Sequence, residues 1–384
     1  MEKSLFQSFF MGGFECATHR LRTGKRLDMI AATKHDRFVV EDYRRLVEYG
    51  MRTARDGIRW HLIEERPNSY DFSSVVPMLR AAHETGVQVI WDLCHYGWPD
   101  DIDIFKPEFV TRFARMAREF ARLLVNETDS VPFITPVNEI SFFAWASGES
   151  AYLNPFATGR SYELKDQLIR AAIEATEAIW DVAPHARIVN VDPAINVVCD
   201  PARPFEREAA ADYHYLQYHA RDILTGRERP ELGGAEKYLD IIGVNYYAFN
   251  QWIYGDTVYH PRIPVTLYDP LYRPLSSILS EIYERYARPM FIAETGTEGD
   301  FRPTWLAYVA GEVRAAASAG VPVEGICLYP VVNFPGWDND RYCCNGLWDY
   351  ADENGHREIY EPLAQELGRQ REYSEQLAVE ANPK

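Results

Sequence analysis

The sequence predicts a single (β/α)8 TIM barrel, of the α/β class, and two observations support this prediction. Short apolar runs alternate with segments of helical periodicity along most of the 384 residues, which is typical of parallel strands joined by crossover helices. These runs number about eight, and eight strands close such a barrel. The candidate strands are Ser8–Phe14, Arg52–Ile58, Val87–Leu93, Phe133–Val137, Arg187–Val191, Ile241–Asn245, Met290–Ala293 and Gly325–Tyr329.

The helical periodicity is clearest in the segment that begins at Pro107. Proline is favoured in the first turn of a helix, where its missing N–H leaves no hydrogen bond unmade. The apolar side chains that follow recur at spacings of three and four, which predicts an amphipathic helix packed on a sheet. They are Phe109, Phe113, Met116, Phe120 and Leu124. A second long helix is predicted over roughly Tyr162–Asp181.

Charge and composition limit the classes of function. The net charge is −17, with 47% hydrophobic and 25% charged residues, which argues against nucleic acid and against an anionic membrane surface. The six cysteines contain no C-x-x-C pair, so we expect reduced thiols and a cytoplasmic protein. The apolar patch near the N-terminus is too short for a signal peptide, and the sequence has no run long enough for a transmembrane helix.

One domain is expected over residues 1–371, followed by a polar tail over residues 372–384. The segment Ala248–Pro274 has no helical period and is rich in aromatic residues. Long segments of this kind in compact domains are usually functional. This segment follows the sixth strand, on the face where barrel sites are built.

Two glutamates follow predicted strands directly. Phe133–Val137 leads into Asn138 and Glu139, and Met290–Ala293 leads into Glu294. Catalytic groups of TIM barrels gather at the carboxyl ends of the strands, and a pair of carboxyl groups is what glycoside hydrolysis requires. From position alone, two glutamates in surface ion pairs remain the alternative.

Five segments of the chain resemble glycoside hydrolase family 1, the β-glucosidase family, in the expected order. Thr135–Ile140 resembles the acid/base motif T-F-N-E-P, and Pro289–Gly296 resembles the nucleophile motif I-T-E-N-G. Asp240–Tyr247 is similar to D-F-I-G-I-N-Y-Y, and Cys94–Pro99 is similar to Y-H-W-D-L-P. Gly50–Ile63 aligns without gaps on the second strand, which places the active-site arginine at Arg55 and a tryptophan at Trp60.

The resemblance implies a role for each catalytic candidate. Glu139 would be the acid/base, Glu294 the nucleophile, and Arg55 the cation opposite Glu294. Asn138 would bind the sugar 2-hydroxyl, a contact that strengthens in the transition state. Arg59 shares the strand parity of Arg55, so it stays open as a second cation.

Strand alternation separates the two tyrosines after the sixth strand. Asn245 and Tyr247 share a face, so Tyr247 is the candidate for contact with the nucleophile. Tyr246 should point into the layer between sheet and helices. His95 is expected to donate a hydrogen bond to a sugar hydroxyl. No metal-binding His spacing occurs, so neither a metal nor another cofactor is expected.

The resemblance is weakest where the family holds the outer part of the sugar. The glutamate that binds O4 and O6 falls on Gly336, although Trp337 beside it is kept. Tyr329 replaces a stacking tryptophan. The glutamine that binds O3 and O4 falls near His19 or Arg20. The remaining candidates for the missing contacts are Glu15, Asp338 and Asp340.

These observations predict a retaining β-glycoside hydrolase with an undetermined glycone, either plain or modified. The partner would be a small-molecule or oligosaccharide glycoside, and the oligomeric state is open. One alternative is a transglycosylase that uses the same covalent intermediate. The other is a catalytically idle barrel that binds carbohydrate. The expected substrate-binding residues are His95, Asn245, Trp337, Tyr329 and His19.

Overall fold

The computed structural model describes residues 4–255 and 261–380. Its centre is a closed barrel of eight parallel strands, which confirms the predicted fold class. The strands are β1 (Phe10–Gly13), β2 (Thr53–Gly57), β3 (Gln88–Cys94), β4 (Phe133–Val137), β5 (Arg187–Pro193), β6 (Ile241–Asn245), β7 (Met290–Thr295) and β8 (Val323–Leu328). Each strand pairs with the next along the chain, and β8 closes the barrel against β1.

A long helix follows each strand and returns the chain to the other end of the barrel. These helices are α1 (His35–Glu48), α2 (Val76–Thr85), α3 (Pro107–Glu127), α4 (Ser161–Trp180), α5 (Arg207–Leu224), α6 (Leu275–Tyr286), α7 (Arg302–Ser318) and α8 (Glu361–Glu380). Shorter helices lie in the loops at Met29–Ala32, Trp60–Ile63 and Ile140–Gly148.

The loops also contain short strands outside the barrel. A three-stranded sheet joins Asn196–Val198, Gln251–Ile253 and Ile263–Pro264, so the predicted long segment Ala248–Pro274 contributes two strands. Residues 256–260 of that segment lie outside the described residues. The polar tail predicted from residue 372 begins inside α8, which continues to Glu380, while residues 381–384 are again outside the described part.

The core is organised so that one end of the barrel is apolar. Phe6 packs on Phe133 and Phe291, with ring centroids 5.5 and 4.9 Å away. Both partners lie near the amino ends of their strands, so aromatic rings fill this end of the interior. At the other end the buried interior side chains include Arg55 and Asp92. The polar groups are therefore concentrated where the strands end, which is where barrel sites are built.

The outer layer packs as the periodicity predicts. The five apolar side chains of α3 named above are all buried, and so is Tyr246. The Tyr246 ring stacks on Trp305 of α7 at 5.8 Å, which confirms that this tyrosine points away from the barrel interior. In the described residues, we find no helix whose length and apolar character would allow it to cross a membrane.

Candidate active site

A cavity of about 1450 Å³ opens at the carboxyl end of the strands. Glu139 and Glu294 both line it, together with three of the residues expected from the sequence around them: His95, Tyr247 and Tyr329. Both glutamates are buried, with relative exposures of 8% and 4%. The structure therefore does not support the alternative of two surface ion pairs.

Glu294 lies on β7 beside an irregularity in the strand. Against β6, Ile292 pairs with Val244 and Glu294 with Asn245, so two steps on β7 match one on β6. Such bulges re-aim a side chain. The Glu294 carboxylate accepts hydrogen bonds from Arg55 Nη1 at 2.5 Å and from the Tyr247 hydroxyl at 2.8 Å.

Arg55 lies at the centre of the polar end of the barrel. Beyond Glu294, its guanidinium donates to both oxygens of Asp92, at 3.2 and 2.6 Å, and to Asn138 Oδ1 at 2.7 Å. This fully buried cation is therefore held in one orientation by two carboxylates and an amide. Asp92 and Glu294 raise the pKa of Arg55 despite the opposing effect of burial. Arg55 thus supplies Glu294 with a permanent positive charge.

Arg59, the other arginine of the same parity, lies elsewhere. It forms ion pairs with Asp28 and Asp36 at 3.1 and 3.2 Å. The strand β2 ends at Gly57, so the alternation that would have aimed Arg59 into the barrel no longer applies. Arg55 is the arginine that contacts the nucleophile candidate.

Glu139 is held in a different way. Its backbone has φ 46° and ψ 60°, in the left-handed region that non-glycine residues rarely adopt. Its N–H donates to Val191 O at 3.0 Å and its carbonyl accepts from Phe143 N at 2.7 Å, which anchors this conformation. The side chain accepts hydrogen bonds from the Tyr96 hydroxyl and, at 2.8 Å, from Asn245 Nδ2.

The surroundings of Glu139 favour its protonated form. Burial, followed by the nearby Glu294 charge, raises its pKa to about 8, although the hydrogen bonds from Tyr96 and Asn245 oppose this. In the described residues, no cation forms an ion pair with Glu139, in contrast to Glu294. A carboxyl group that stays protonated near neutral pH can donate a proton to a leaving oxygen.

Asn138 links the two carboxyl groups through neighbouring side chains. Its amide oxygen accepts from Arg55, while its nitrogen donates to the Tyr96 hydroxyl at 3.0 Å and lies 3.2 Å from His95 Nε2. His95 Nδ1 is 3.0 Å from Asp92 Oδ2. Asn138, His95 and Asp92 therefore form one network that fixes the orientation of both Arg55 and the His95 ring.

Three buried groups in this network have metal-ligand chemistry. Cys16, Asp92 and His95 each bring one potential ligand atom within 4.8 Å of the others. Both Asp92 oxygens already accept hydrogen bonds from Arg55. A cation bound here would face that guanidinium, so the donor set does not fit a metal.

Tyr96 is one of two residues of this site that the sequence did not predict. Its hydroxyl donates to Glu139 and its backbone has φ 65°. The available signal was its place in Cys94–Pro99, directly after His95 and at the carboxyl end of β3. Asp92 was missed as well, although an aspartate inside an otherwise apolar strand indicates a buried partner charge.

The expected sugar-binding residues are not all equally exposed to the cavity. Tyr329 lines it, stacks on the His95 ring at 6.1 Å and lies under the Arg55 guanidinium. Trp337 also lines it. His19 is buried against Trp337 at 4.7 Å and is not among the lining residues. Neither ring nitrogen of His19 has a hydrogen-bond partner among the described residues, and burial lowers its pKa to about 3.

The candidates for the missing sugar contacts differ in position. Arg20 forms an ion pair with Asp100, Asp340 with Lys25, and Asp338 accepts from the Tyr152 hydroxyl. Glu15 alone of the three candidate carboxylates lines the cavity. It lies 3.7 Å from His95 Nε2 and accepts from Ala17 N at 2.9 Å, and burial raises its pKa.

The barrel resembles solved β-glucosidase structures over nearly its whole length. The Thermotoga maritima β-glucosidase in complex with glucoimidazole superposes with a TM-score of 0.78 at 16% identity, covering 95% of this chain and 98% of that chain. The Thermotoga maritima family 1 β-glucosidase with isofagomine lactam gives 0.77 at 16%, covering 96% and 99%. A hyperthermophilic β-glucosidase mutant gives 0.74 at 17%, covering 95% and 100%.

No family model and no curated protein sequence matches the chain. At the identities of the solved structures, the likeness establishes a shared fold, and function has to be argued from the site.

Proposed function

We propose that this protein is a retaining β-glycoside hydrolase, with Glu294 as nucleophile and Glu139 as acid/base. The observation that supports the proposal is the contrast between two buried carboxyl groups in one cavity. Glu294 is held by the Arg55 cation and the Tyr247 hydroxyl, whereas the pKa of Glu139 is raised to about 8. One group is ready to attack and the other to donate a proton.

The reaction divides into two displacements. In the first, a Glu294 oxygen forms a bond to the anomeric carbon while the glycosidic C–O bond breaks and the leaving oxygen takes the proton of Glu139. In the second, the Glu139 carboxylate takes a proton from water, whose oxygen attacks the anomeric carbon and releases Glu294. Arg55 and Tyr247 hold the Glu294 oxygens in position for both steps.

The pKa of Glu139 changes between the two steps in the direction that the reaction requires. While Glu294 is ionised, its charge contributes to the raised pKa of Glu139. Once Glu294 is esterified by the sugar, that contribution is gone and the Glu139 pKa falls. Glu139 is then a carboxylate able to act as a base. We assign the binding of the 2-hydroxyl to Asn138, which bridges Arg55 and Tyr96.

The decisive experiment replaces the nucleophile. We expect Glu294→Ala to lose aryl glycosidase activity by several orders of magnitude, about 10⁴-fold or more, because the covalent step is removed. Added azide should restore part of the rate and give the glycosyl azide of inverted configuration, detected by NMR. Glu119→Ala, on the outer face of α3, is the control and should retain activity. Full activity in Glu294→Ala would refute the mechanism.

A further inference from the structure

Beyond the two glutamates, the cavity extends sideways between the helices that follow β4 and β5. We call this part the lateral cleft and define it by six of the lining residues: Trp145, Lys165, Tyr213, Gln217, Trp252 and Arg262. It lies on the Glu139 side of the cavity, because Trp145 belongs to the short helix that Glu139 begins. In a glycosidase this is the side from which the leaving group departs.

Lys165 is the unusual residue of the lateral cleft. It lies in the first turns of α4 with a relative exposure of 6%. Its ammonium group lies 3.2 Å from His219 Nδ1, which is its hydrogen-bond partner in the described structure. It forms no ion pair with any described carboxylate, although buried lysines are ordinarily paired.

The His219 contact leaves Lys165 with unused donors. An ammonium group has three N–H bonds, and His219 accepts one. Burial, and then the Lys165 charge, lower the pKa of His219, so this imidazole is a neutral acceptor. Its other nitrogen lies 3.3 Å from Glu228. Two N–H bonds of Lys165 therefore have no partner among the described residues and can serve a ligand in the cavity that it lines.

Arg262 brings a second cation to the same cleft. Its guanidinium lies over the rings of Trp145, Tyr213 and Trp252, at 5.6, 4.8 and 5.3 Å from their centroids. It donates a hydrogen bond to the Tyr213 hydroxyl. As with Lys165, no described carboxylate forms an ion pair with it. The aromatic rings hold the guanidinium in place and leave its remaining N–H groups available.

The acidic groups near the cleft form no ion pair with Lys165 or Arg262 in the described part of the chain. Burial lowers the pKa of Lys165, and the charges of Asp192, Asp166 and Glu228 oppose this without forming an ion pair. Both oxygens of Asp192 accept hydrogen bonds from Ser141. Glu149 lines the cavity and accepts from Ser161 Oγ at 3.1 Å. Glu139 is mostly protonated at neutral pH, given its raised pKa. A ligand anion would therefore meet two cations that form no ion pair with a described carboxylate.

We propose that the lateral cleft binds a leaving group that carries a compact oxyanion, such as a carboxylate, through Lys165 and Arg262. The inference rests on the proposed function, since it assigns the class of aglycone for the same site. The three aromatic rings suit a planar aglycone, which stacks while its anionic group reaches the cations. The net charge of −17 repels anions overall, so a paired set of cations inside the cavity is needed to hold one.

The test is a binding measurement that does not depend on hydrolysis. Calorimetric titration compares 4-nitrobenzoate with 4-nitrobenzamide, which differ in charge but hardly in shape. Wild type should bind the benzoate more tightly, and added salt should reduce the difference. Lys165→Met should weaken benzoate binding about tenfold or more, as expected for a lost charge-assisted hydrogen bond, and leave benzamide binding nearly unchanged. Lys165→Arg should retain part of the preference.

Lys237→Met is the matched control, because Lys237 lies near the amino end of β6 and pairs with Glu177. It should leave both affinities unchanged. If Lys165→Met does not fold, as judged by its thermal unfolding midpoint, Arg262→Gln on the exposed loop tests the same cleft. Equal affinities in wild type, or equal losses for both probes, would overturn the inference.

A kinetic measurement separates this inference from the proposed function. Aryl glycosides of 4-hydroxybenzoate and 4-hydroxybenzamide should differ in KM in wild type, and Lys165→Met should remove that difference. If neither glycoside is cleaved but benzoate binding still depends on Lys165, the hydrolase proposal fails and the oxyanion site stands. If both are cleaved with equal KM, the oxyanion site fails and the hydrolase stands.

Discussion

Glu139 and Glu294 lie in one cavity, but different neighbours surround their carboxyl groups. Glu294 accepts from a cation and a tyrosine, while Glu139 accepts from Tyr96 and Asn245, which are both neutral. Desolvation disfavours a carboxylate unless a cation or several donors compensate for it. The two glutamate side chains therefore differ in their preference for the ionised form because their hydrogen-bond partners differ.

The pKa of Glu139 predicts how activity falls at high pH. Because the proposed first step uses protonated Glu139, kcat/KM should be highest below that pKa and should fall as the pH rises through about 8. Initial rates on an aryl glycoside with an unactivated phenol, measured on both sides of this pH, would show the decline. In Glu139→Ala, assayed with a dinitrophenyl glycoside that departs without a proton, the same decline should vanish. Its persistence would assign the titration to another group.

The sequence predicts those site residues that belong to short motifs. Glu139, Glu294 and Arg55 each follow or occupy a strand whose apolar residues are recognisable, so their place in the barrel follows directly. The sequence did not predict Tyr96 or Lys165 as site residues, and the reason is physical. The contact of Lys165 with His219 spans 54 residues of sequence, and in the sequence Lys165 resembles any polar position of an amphipathic helix.

The end of strand β7 could not be read from its apolar run. The run predicts a strand that ends at Ala293, but the strand continues through Thr295. Backbone groups continue the pairing, since Tyr246 N donates to Glu294 O and Tyr329 N donates to Thr295 O. Strand pairing depends on the backbone, so a polar side chain does not end it. Glu294 is therefore placed by a strand and not by a loop, which fixes it more firmly.

The packing of α3 gives a prediction for stability. Phe113 is fully buried, and its ring lies 5.1 Å from Trp60 and 6.1 Å from Phe109. Phe113→Ala should lower the free energy of unfolding by about 3–5 kcal/mol, because a cavity is left between helix and barrel. Arg122→Ala, on the exposed face of the same helix, should change it by less than about 0.5 kcal/mol. Urea unfolding midpoints measure both, and similar shifts would contradict the assigned packing.

Across the whole molecule, the two ends of the barrel contain different kinds of side chain. Aromatic rings around Phe6 fill the end where the strands begin, and charged groups around Arg55 fill the end where they finish. The apolar runs predict the strands that form the first of these ends, because burial of apolar surface depends on composition and period. The loop contacts at the other end were not predicted. Arg20 pairs with Asp100 and Lys25 with Asp340, which are distant in sequence and have no shared period.

The residues around Gly336 lead to the prediction about the glycone. The glutamate that grips O4 and O6 in the family that the sequence resembles falls on Gly336, which has no side chain to bind a hydroxyl. Nearby, Trp337 Nε1 and Asn345 Oδ1 are buried without a hydrogen-bond partner among the described residues. Glu15 adds a carboxylate beside His95. We therefore expect the set of donors and acceptors to differ from one built for plain glucose.

We expect a sugar that is deoxy, oxidised or substituted at O3, O4 or O6 to be preferred over a plain β-glucoside or β-galactoside. A site that binds a hydroxyl can discriminate against the analogue lacking it by about 10⁴–10⁵-fold, so a changed set of polar groups should redirect the preference. Comparing kcat/KM for aryl β-glucoside, galactoside, fucoside, xyloside and glucuronide measures this. Glu15→Gln should alter the ranking, while Glu119→Ala should not. If glucoside or galactoside is cleaved best, with kcat/KM of about 10⁴ M⁻¹s⁻¹ or more, then Glu15, Trp337 and Asn345 restore ordinary recognition and the prediction is wrong.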